Sequence, residues 1–424
     1  MKITDLQAIE ILDSRGNPTV EVVLFSNEKC AKGSAPSGAS TGSMEAFEFR
    51  DGASRFNGKG VLGAVHNCNT VIKNSILNKN FESIEEFDTV LINLDETHNK
   101  SNLGANSILA CSVAFTKLLA SIQNKKVFEL FESEMSMPCP MMNIINGGVH
   151  ADNNLNIQEF MIMPVCGNSF AEALRCGVEI YHTLKKIMIR NKLSCNTGDE
   201  GGFAPMISDH KQALELILQA IEQSGYRAEK DVLLAIDVAA SELLDDNNYN
   251  LFHNQPSLKK SETVKFYQDL IKKYPIFSIE DAMAENDDVG FQDITEAIGN
   301  KVQLVGDDVF TTNPKTLESK SNQNICNAVL IKPNQIGTIS ETINFTKLAQ
   351  TKNYATVTSH RSGETNDATI SHLAVGLNTK QIKAGAPARG ERVEKYNELL
   401  RIESANNLKY SGEYVLERYK KFKL

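Results

Sequence analysis

The chain has 424 residues, 41% hydrophobic and 23% charged, the balance of an ordinary globular protein long enough for a large core and more than one domain. Asp and Glu outnumber Lys and Arg by 53 to 44, for a formal net charge of -9. That excludes general nucleic-acid binding, which needs a broad basic surface. The eight cysteines are scattered without a C-x-x-C pair, which excludes zinc-ribbon and thioredoxin motifs and reads as reduced thiols in a cytoplasmic protein.

The opening MKITDLQAIEIL is too charged for a signal peptide, and no stretch of ~18 apolar residues is expected to span a membrane. The alternating run Thr19–Phe25 predicts a strand, and Asn106–Phe115 reads as helix, so residues 1–135 form a small α+β domain. Met135–Pro140 carries two prolines and reads as an extended linker opening a second domain, residues 136–424. There, short apolar runs recur at Met141–Ile145, Phe160–Val165, Val232–Val238, Ile276–Ile279, Val302–Val305, Ala328–Ile331, Ala355–Thr358 and Gln381–Ala384. Most are separated by helical patterns, as expected of a (β/α)₈-type barrel with its chemistry at the C-terminal rim of the strands.

Polar residues close these runs: Asp237, Glu280, Asp307, Lys332, His360 and Lys383. The second run breaks the rule, because Gln158 and Glu159 precede its apolar residues, so Glu159 reaches the same rim only if that strand runs antiparallel. The link before it is too short for a helical crossover, and two helical patterns, Phe170–Ile189 and Lys211–Ile221, follow it. The expected architecture is therefore a modified barrel, ββαα(βα)₆.

Asp237, Glu280 and Asp307 end consecutive candidate strands, and neighbouring strands lie ~4.8 Å apart. Such carboxylates repel unless a cation sits among them, and an all-oxygen donor set favours Mg²⁺. Lys332 would emerge beside them, where burial lowers a lysine pKa and frees a neutral amine to act as a base. Sites of that composition, a Lys base with one or two Mg²⁺, stabilise ene-diolates. Gly198–Gly202 holds Asp199 and Glu200 among glycines, suited to a general acid. Arg361 offers a fork for phosphate or carboxylate, and Lys383 a further cation.

Gly58–Gly63 matches a dinucleotide fingerprint but follows a polar segment instead of a strand. Gly38–Gly42 matches a nucleophile elbow around Ser40 without the preceding strand, and reads better as a glycine-rich loop that closes over a ligand. His182 and His372 read as packing or surface residues, and the basic Arg418–Lys423 as a solvated tail.

Taken in order, Asp13–Thr19, Ser37–Gly42, Lys100–Asn106, Asn143–His150, Gln158–Ile162, Gly198–Gly202, Asp307–Asp308, Ser359–Thr365 and Gln381–Pro387 resemble the enolase family, in its bacterial form, over essentially the whole chain. The resemblance implies reversible dehydration of 2-phospho-D-glycerate to phosphoenolpyruvate by a homo-oligomer, a dimer or an octamer. It implies Lys332 as the base at C2 and Glu200 as the acid at the C3 hydroxyl. Asp237, Glu280 and Asp307 would hold one Mg²⁺, and Ser40 a second when its loop closes. Gln158, Arg361, Ser362 and Lys383 would contact substrate, with His150, Glu159 and His360 lining the site. Family members are also displayed at cell surfaces or secreted without a signal peptide.

The chain departs from the family pattern at Pro333 after the base, at Ala282, Ala384 and Gly390, and in having no Trp. Pro333 restrains the backbone beside Lys332. The alternatives are another proton-abstracting enzyme of the superfamily, a catalytically silent enolase-like binding or structural protein, and a serine hydrolase at Ser40.

Overall fold

The computed structural model describes residues 1–424 apart from residues 28, 53, 132 and 208. At the N-terminus β1 (Asp5–Leu12), β2 (Pro18–Ser26) and β3 (Lys29–Ser34) form an antiparallel sheet in that order. The β1–β2 turn is tied by Asp13, whose Oδ1 accepts from Arg15 N at 2.8 Å and Asn17 N at 2.9 Å, while Gly16 takes a φ of +75°. Along β2 the alternation foreseen for Thr19–Phe25 is realised, with Val20, Val22 and Leu24 turned into the core.

That face is covered by α2 (Ala105–Ile122), against which α1 (Ile84–Asp95) packs within the same core. By length and composition alone α2 could cross a membrane, contrary to the expectation from sequence. It is instead the core helix of this domain, with nearly every residue from Ala105 to Ala120 buried. A Cβ on Gly33 would lie 2.5 Å from Ala114 N, so glycine is what lets β3 approach the α2 backbone.

A closed barrel follows. Its strands are β4 (Cys139–Asn146), β5 (Glu159–Pro164), β6 (Val232–Asp237), β7 (Ile276–Glu280), β8 (Gln303–Gly306), β9 (Ala328–Ile331), β10 (Ala355–Ser359) and β11 (Gln381–Lys383). β5 runs antiparallel to β4 and β6, every other pairing is parallel, and α3 (Phe170–Arg190) and α4 (His210–Gln223) fill the β5–β6 connection, giving the expected ββαα start. The expected linker is shorter than the sequence suggested. Cys139 and Pro140 already pair with Gln381 and Ile382 of β11, because a proline at a strand's start removes no needed donor.

Further helices cover the later strands: α5 (Lys260–Lys273), α6 (Asp288–Ile298), α7 (Pro314–Ser321), α8 (Ile339–Thr351), α9 (Thr369–Gly376), α10 (Gly390–Ala405) and α11 (Gly412–Phe422). The tail expected in solvent is part of α11, which closes the barrel floor. Its Val415 and Tyr419 are buried, and Arg418 donates to Gln303 Oε1 at 2.7 Å. Gln303 in turn donates to Ser278 Oγ and Gln381 Oε1 inside the barrel. Arg418 also lies over the Phe277 ring, and this amphipathic packing outweighs the local run of charge.

The first domain grips the barrel at the N-terminus of α8. Ile339 N donates to Ser112 Oγ at 3.0 Å, Ser340 N to Asp88 Oδ2 at 2.8 Å, and Lys100 Nζ pairs with Glu341 at 3.0 Å. These contacts satisfy N–H groups a helix start leaves unpaired, and they fix the segment that follows Lys332.

Candidate active site

Strand register assembles the site. Glu159 of β5 pairs with Asp237 of β6, Asp237 with Glu280 of β7, and Glu280 with Val305 of β8, so Asp307, two residues on, shares that face. Lys332 follows Ile331 of β9, and Lys383 of β11 pairs with Ser359 of β10, just before His360. These side chains, with Ser40, His150, Gln158, Glu200, Arg361 and Ser362, come to one end of the barrel, and all except Glu280 line one small polar cavity. Glu280 lies immediately beneath, 1% exposed.

Carboxylates dominate. Asp237 and Glu280 converge as expected, and the cation between them is Lys383, whose Nζ lies 3.0 Å from Asp237 Oδ2 and 2.7 and 2.8 Å from the Glu280 oxygens. Glu159 Oε1 completes the cage at 3.3 Å. Burial works against the Lys383 ammonium, but these acids hold it well above its ordinary range. Burial and neighbouring carboxylates raise Glu159 and Glu280 well above theirs, despite Lys383.

Asp307 pairs with Lys332 instead, and with Asp281 and Asp308 it brings ligand atoms within 4.8 Å of one another. Burial works to lower Lys332, the direction expected from sequence, but Asp307 outweighs it and the amine is held above its usual value. The sequence could not show which carboxylate the ammonium would meet. Pro333 does not disturb the base: Lys332 is extended at φ −125° and ψ 103°, as a residue before proline prefers. Pro333 then opens a single helical turn, Pro333–Ile336, where a missing N–H costs nothing.

On the opposite wall, His150, Glu159 and Glu200 bring ligand atoms within 4.8 Å of one another. Glu200 Oε2 accepts from Asn143 Nδ2 at 3.0 Å, and Oε1 lies 3.2 Å from His360 Nε2. Burial pushes Glu200 up, but His360, His150 and Arg392 around it overcome that and hold it well below its ordinary value. The carboxyl environments are thus opposed, Glu159 favouring the proton and Glu200 the charge. The Glu200 loop needs its glycines, since a Cβ at Gly198 would lie 2.4 Å from the His150 carbonyl and one at Gly202 2.2 Å from Asn146 Oδ1.

His360 is pushed down to about 4 by burial. Its Nδ1 faces Arg392 Nη1 at 2.6 Å, and because arginine only donates, Nδ1 accepts and the proton sits on Nε2, toward Glu200. Burial likewise lowers His150. Gln158 Oε1 and Glu159 Oε2 are buried without a hydrogen-bond partner, acceptors turned into the cavity.

Arg361 is 3% exposed and donates from Nη1 to Glu45 Oε2 at 2.9 Å and from Nη2 to the Ser40 carbonyl at 3.1 Å. Gly38 packs against the same guanidinium, with a Cβ there only 1.8 Å from Nη2, which is why this loop is glycine-rich. Ser37 exchanges backbone hydrogen bonds with Gly363, anchoring the loop to the barrel. Ser40 has no histidine hydrogen-bonded to it among the described residues, so the elbow reading finds no support. Sequence reasoning missed Arg392, a fully buried guanidinium that orients His360 and donates to the carbonyls of Arg361 and Ser362. It also missed Asp281, whose oxygens accept from Asp307 N and Asp308 N at 2.8 and 3.0 Å.

Two family models match the chain: the enolase C-terminal TIM barrel domain over residues 134–419 and the enolase N-terminal domain over residues 3–131. The chain belongs to the enolase family. The matches support a lyase of the enolase superfamily, a family that typically binds metal, and the acidic groups at the rim could hold one.

Proposed function

We propose that this protein catalyses the reversible, Mg²⁺-dependent dehydration of 2-phospho-D-glycerate to phosphoenolpyruvate and water. One observation carries the reading: a buried lysine, a buried carboxyl pair of opposed proton affinity and a buried arginine meet in a single polar cavity.

The donor set fits a hard divalent cation. Asp237, Glu280 and Asp307 offer only carboxylate oxygens, Glu159 Oε2 is buried beside them without a hydrogen-bond partner, and acids outnumber the cations Lys332, Arg361 and Lys383 around the cavity. Asp237, Glu280 and Asp307 would hold one Mg²⁺, and Ser40 would help hold a second. When bound, Mg²⁺ supplies fixed positive charge where the dianion produced by deprotonation at C2 develops, the largest contribution available to such a reaction.

Lys332 Nζ takes the C2 proton. Its tie to Asp307 must slacken first, because an amine held above its usual pKa is a poor base at neutral pH. Lys383 adds positive charge near the substrate carboxylate, and Arg361 with Ser362 receives the phosphate. On the facing wall the Glu159–Glu200 pair shares the proton that leaves with the C3 hydroxyl, while neutral His360, fixed by Arg392, orients Glu200. Gln158 and His150 bound the substrate from the same side. Base and acid on opposite walls suit an anti elimination.

The test is ultraviolet absorbance of the purified protein with 2-phosphoglycerate. A rise from the enol-phosphate chromophore that EDTA abolishes supports the assignment. No rise from folded protein at saturating Mg²⁺ sinks it.

A further inference from the structure

Gln335 stands on the helical turn after Lys332, 1% exposed, and takes no part in the chemistry proposed above. Its side-chain amide nevertheless lies at the meeting point of three parts of the site. Nε2 donates to Asp307 Oδ1 at 2.8 Å and to Glu45 Oε1 at 3.3 Å, carboxylates of the barrel rim and of the glycine-rich loop. Oε1 accepts from Thr312 Oγ1 at 2.7 Å, and that same hydroxyl oxygen accepts from Lys332 N at 3.0 Å. The Gln335 carbonyl accepts from Ala46 N at 2.8 Å, a second tie to the loop. Glu45 carries the connection onward, because its other oxygen receives Arg361 Nη1.

An amide nitrogen has two hydrogens, and here each is committed to a different carboxylate. Asp307 has one oxygen on Gln335 and the other on Lys332, so the torsion of its carboxylate follows where Gln335 holds it. Gln335 in turn is held by Glu45 and Ala46 of the loop. A displacement of the loop that withdraws Glu45 leaves one amide hydrogen unpaired in a buried site, a cost relieved only if Gln335, and with it Asp307, shifts.

We propose that Gln335 is a positioning residue that couples the 37–48 loop, and the phosphate-binding Arg361 latched to it, to Asp307 and hence to the affinity for a divalent cation at the carboxylate ring. The inference rests on the functional reading given above. It makes the loop's grip on Arg361 and the cation's grip on Asp307 parts of one hydrogen-bonded unit, so that either ligand strengthens the site for the other.

The test is Mg²⁺ binding by calorimetry to four proteins: wild type, Glu45→Gln, Gln335→Met and the double variant, with melting curves to establish folding. Gln335→Met keeps the volume and removes every side-chain hydrogen bond. Loss of a group that orients a metal ligand typically costs roughly 10- to 100-fold in affinity, and that loss is expected for Gln335→Met. Glu45→Gln is expected to change Mg²⁺ affinity in the wild-type background and to have a several-fold smaller effect once Gln335 is gone, a non-additivity that plain removal of a nearby charge does not produce. Equal effects of Glu45→Gln in both backgrounds overturn the coupling. If Gln335→Met does not fold, Gln335→Asn, which keeps the amide but shortens its reach by one methylene, gives the same comparison. Absence of Mg²⁺ binding to the wild type would count against the proposed function instead, which keeps the two failures apart.

Discussion

Lys383 gives the sharpest test of the site's electrostatics. Its ammonium is the cation among buried Asp237, Glu280 and Glu159, at distances from 2.7 to 3.3 Å, and it is 2% exposed. Lys383→Met keeps the bulk of the side chain and removes the charge, leaving the acids facing one another. Breaking a buried ion pair by deleting one partner costs about 3–5 kcal/mol, which for a domain of this size lowers the melting temperature by on the order of 5 °C. The sign of the pH dependence follows from the acids. Glu159 and Glu280 have folded pKa values raised well above 4.5, so above pH 4.5 the native state holds more protons than the unfolded chain and stability falls as pH rises. Lys383 lowers both, so its removal widens that window, and the stability lost is larger at pH 8 than at pH 5. Mg²⁺ should recover more of the melting temperature in the variant than it adds to the wild type, because the carboxylates then have no competing ammonium. Melting curves at pH 5 and pH 8, in EDTA and in Mg²⁺, read all of this. A variant that melts within about 1 °C of wild type at pH 8 in EDTA would refute the claim that these acids depend on Lys383.

Lys332→Ala is expected to lower turnover by at least roughly 10²–10⁴-fold, the usual contribution of a positioned base, while phosphoenolpyruvate binding measured by calorimetry weakens only a few-fold; comparable losses in both would make Lys332 a binding group. Gly38→Ala places a methyl 1.8 Å from Arg361 Nη2, so the guanidinium must move, and KM for the phosphorylated substrate should rise about tenfold or more with little change in the melting curve; an unchanged KM contradicts the packing. Asp88 is raised by burial to about 6, so between pH 3.8 and about 6 the folded protein holds the extra proton and loses up to about 3 kcal/mol as pH rises. Asp88→Asn escapes that loss, and urea titrations should show it gaining on the wild type from pH 4 to pH 7; a constant difference would show that Asp88 does not titrate in this range.

Much of the barrel was legible because six of its eight apolar runs are closed by a polar residue, at or just beyond the strand's end, that reaches the rim. Even the reversed β5 could be read, from Gln158 and Glu159 standing before its apolar run instead of after it. What escaped sequence reasoning lies in contacts between distant segments. Glu45 and Gln335 meet across 290 residues of chain, and neither carries a local signal of its partner. Arg392 sits in a helix rich in charge and looks like a solvated residue until its burial against His360 is seen. Arg418 misled for the same reason, since a run of basic residues says nothing about which of them turns toward the barrel floor. β1 was missed because Ile9 and Leu12 are exposed, which blurs its alternation. The direction of the Lys332 shift escaped because burial and a carboxylate partner act oppositely on an amine, and only geometry decides between them.

The central claim is that Lys332 and the Glu200 wall act on the same substrate from opposite sides. Incubating 2-phosphoglycerate in D₂O with Mg²⁺ and following the C2 hydrogen by NMR separates the two roles. Wild type should exchange that hydrogen, Lys332→Ala should not, and Glu200→Gln should still exchange it while forming little phosphoenolpyruvate. Exchange that survives in Lys332→Ala, or vanishes in a folded, Mg²⁺-binding Glu200→Gln, would contradict the assignment of base and acid.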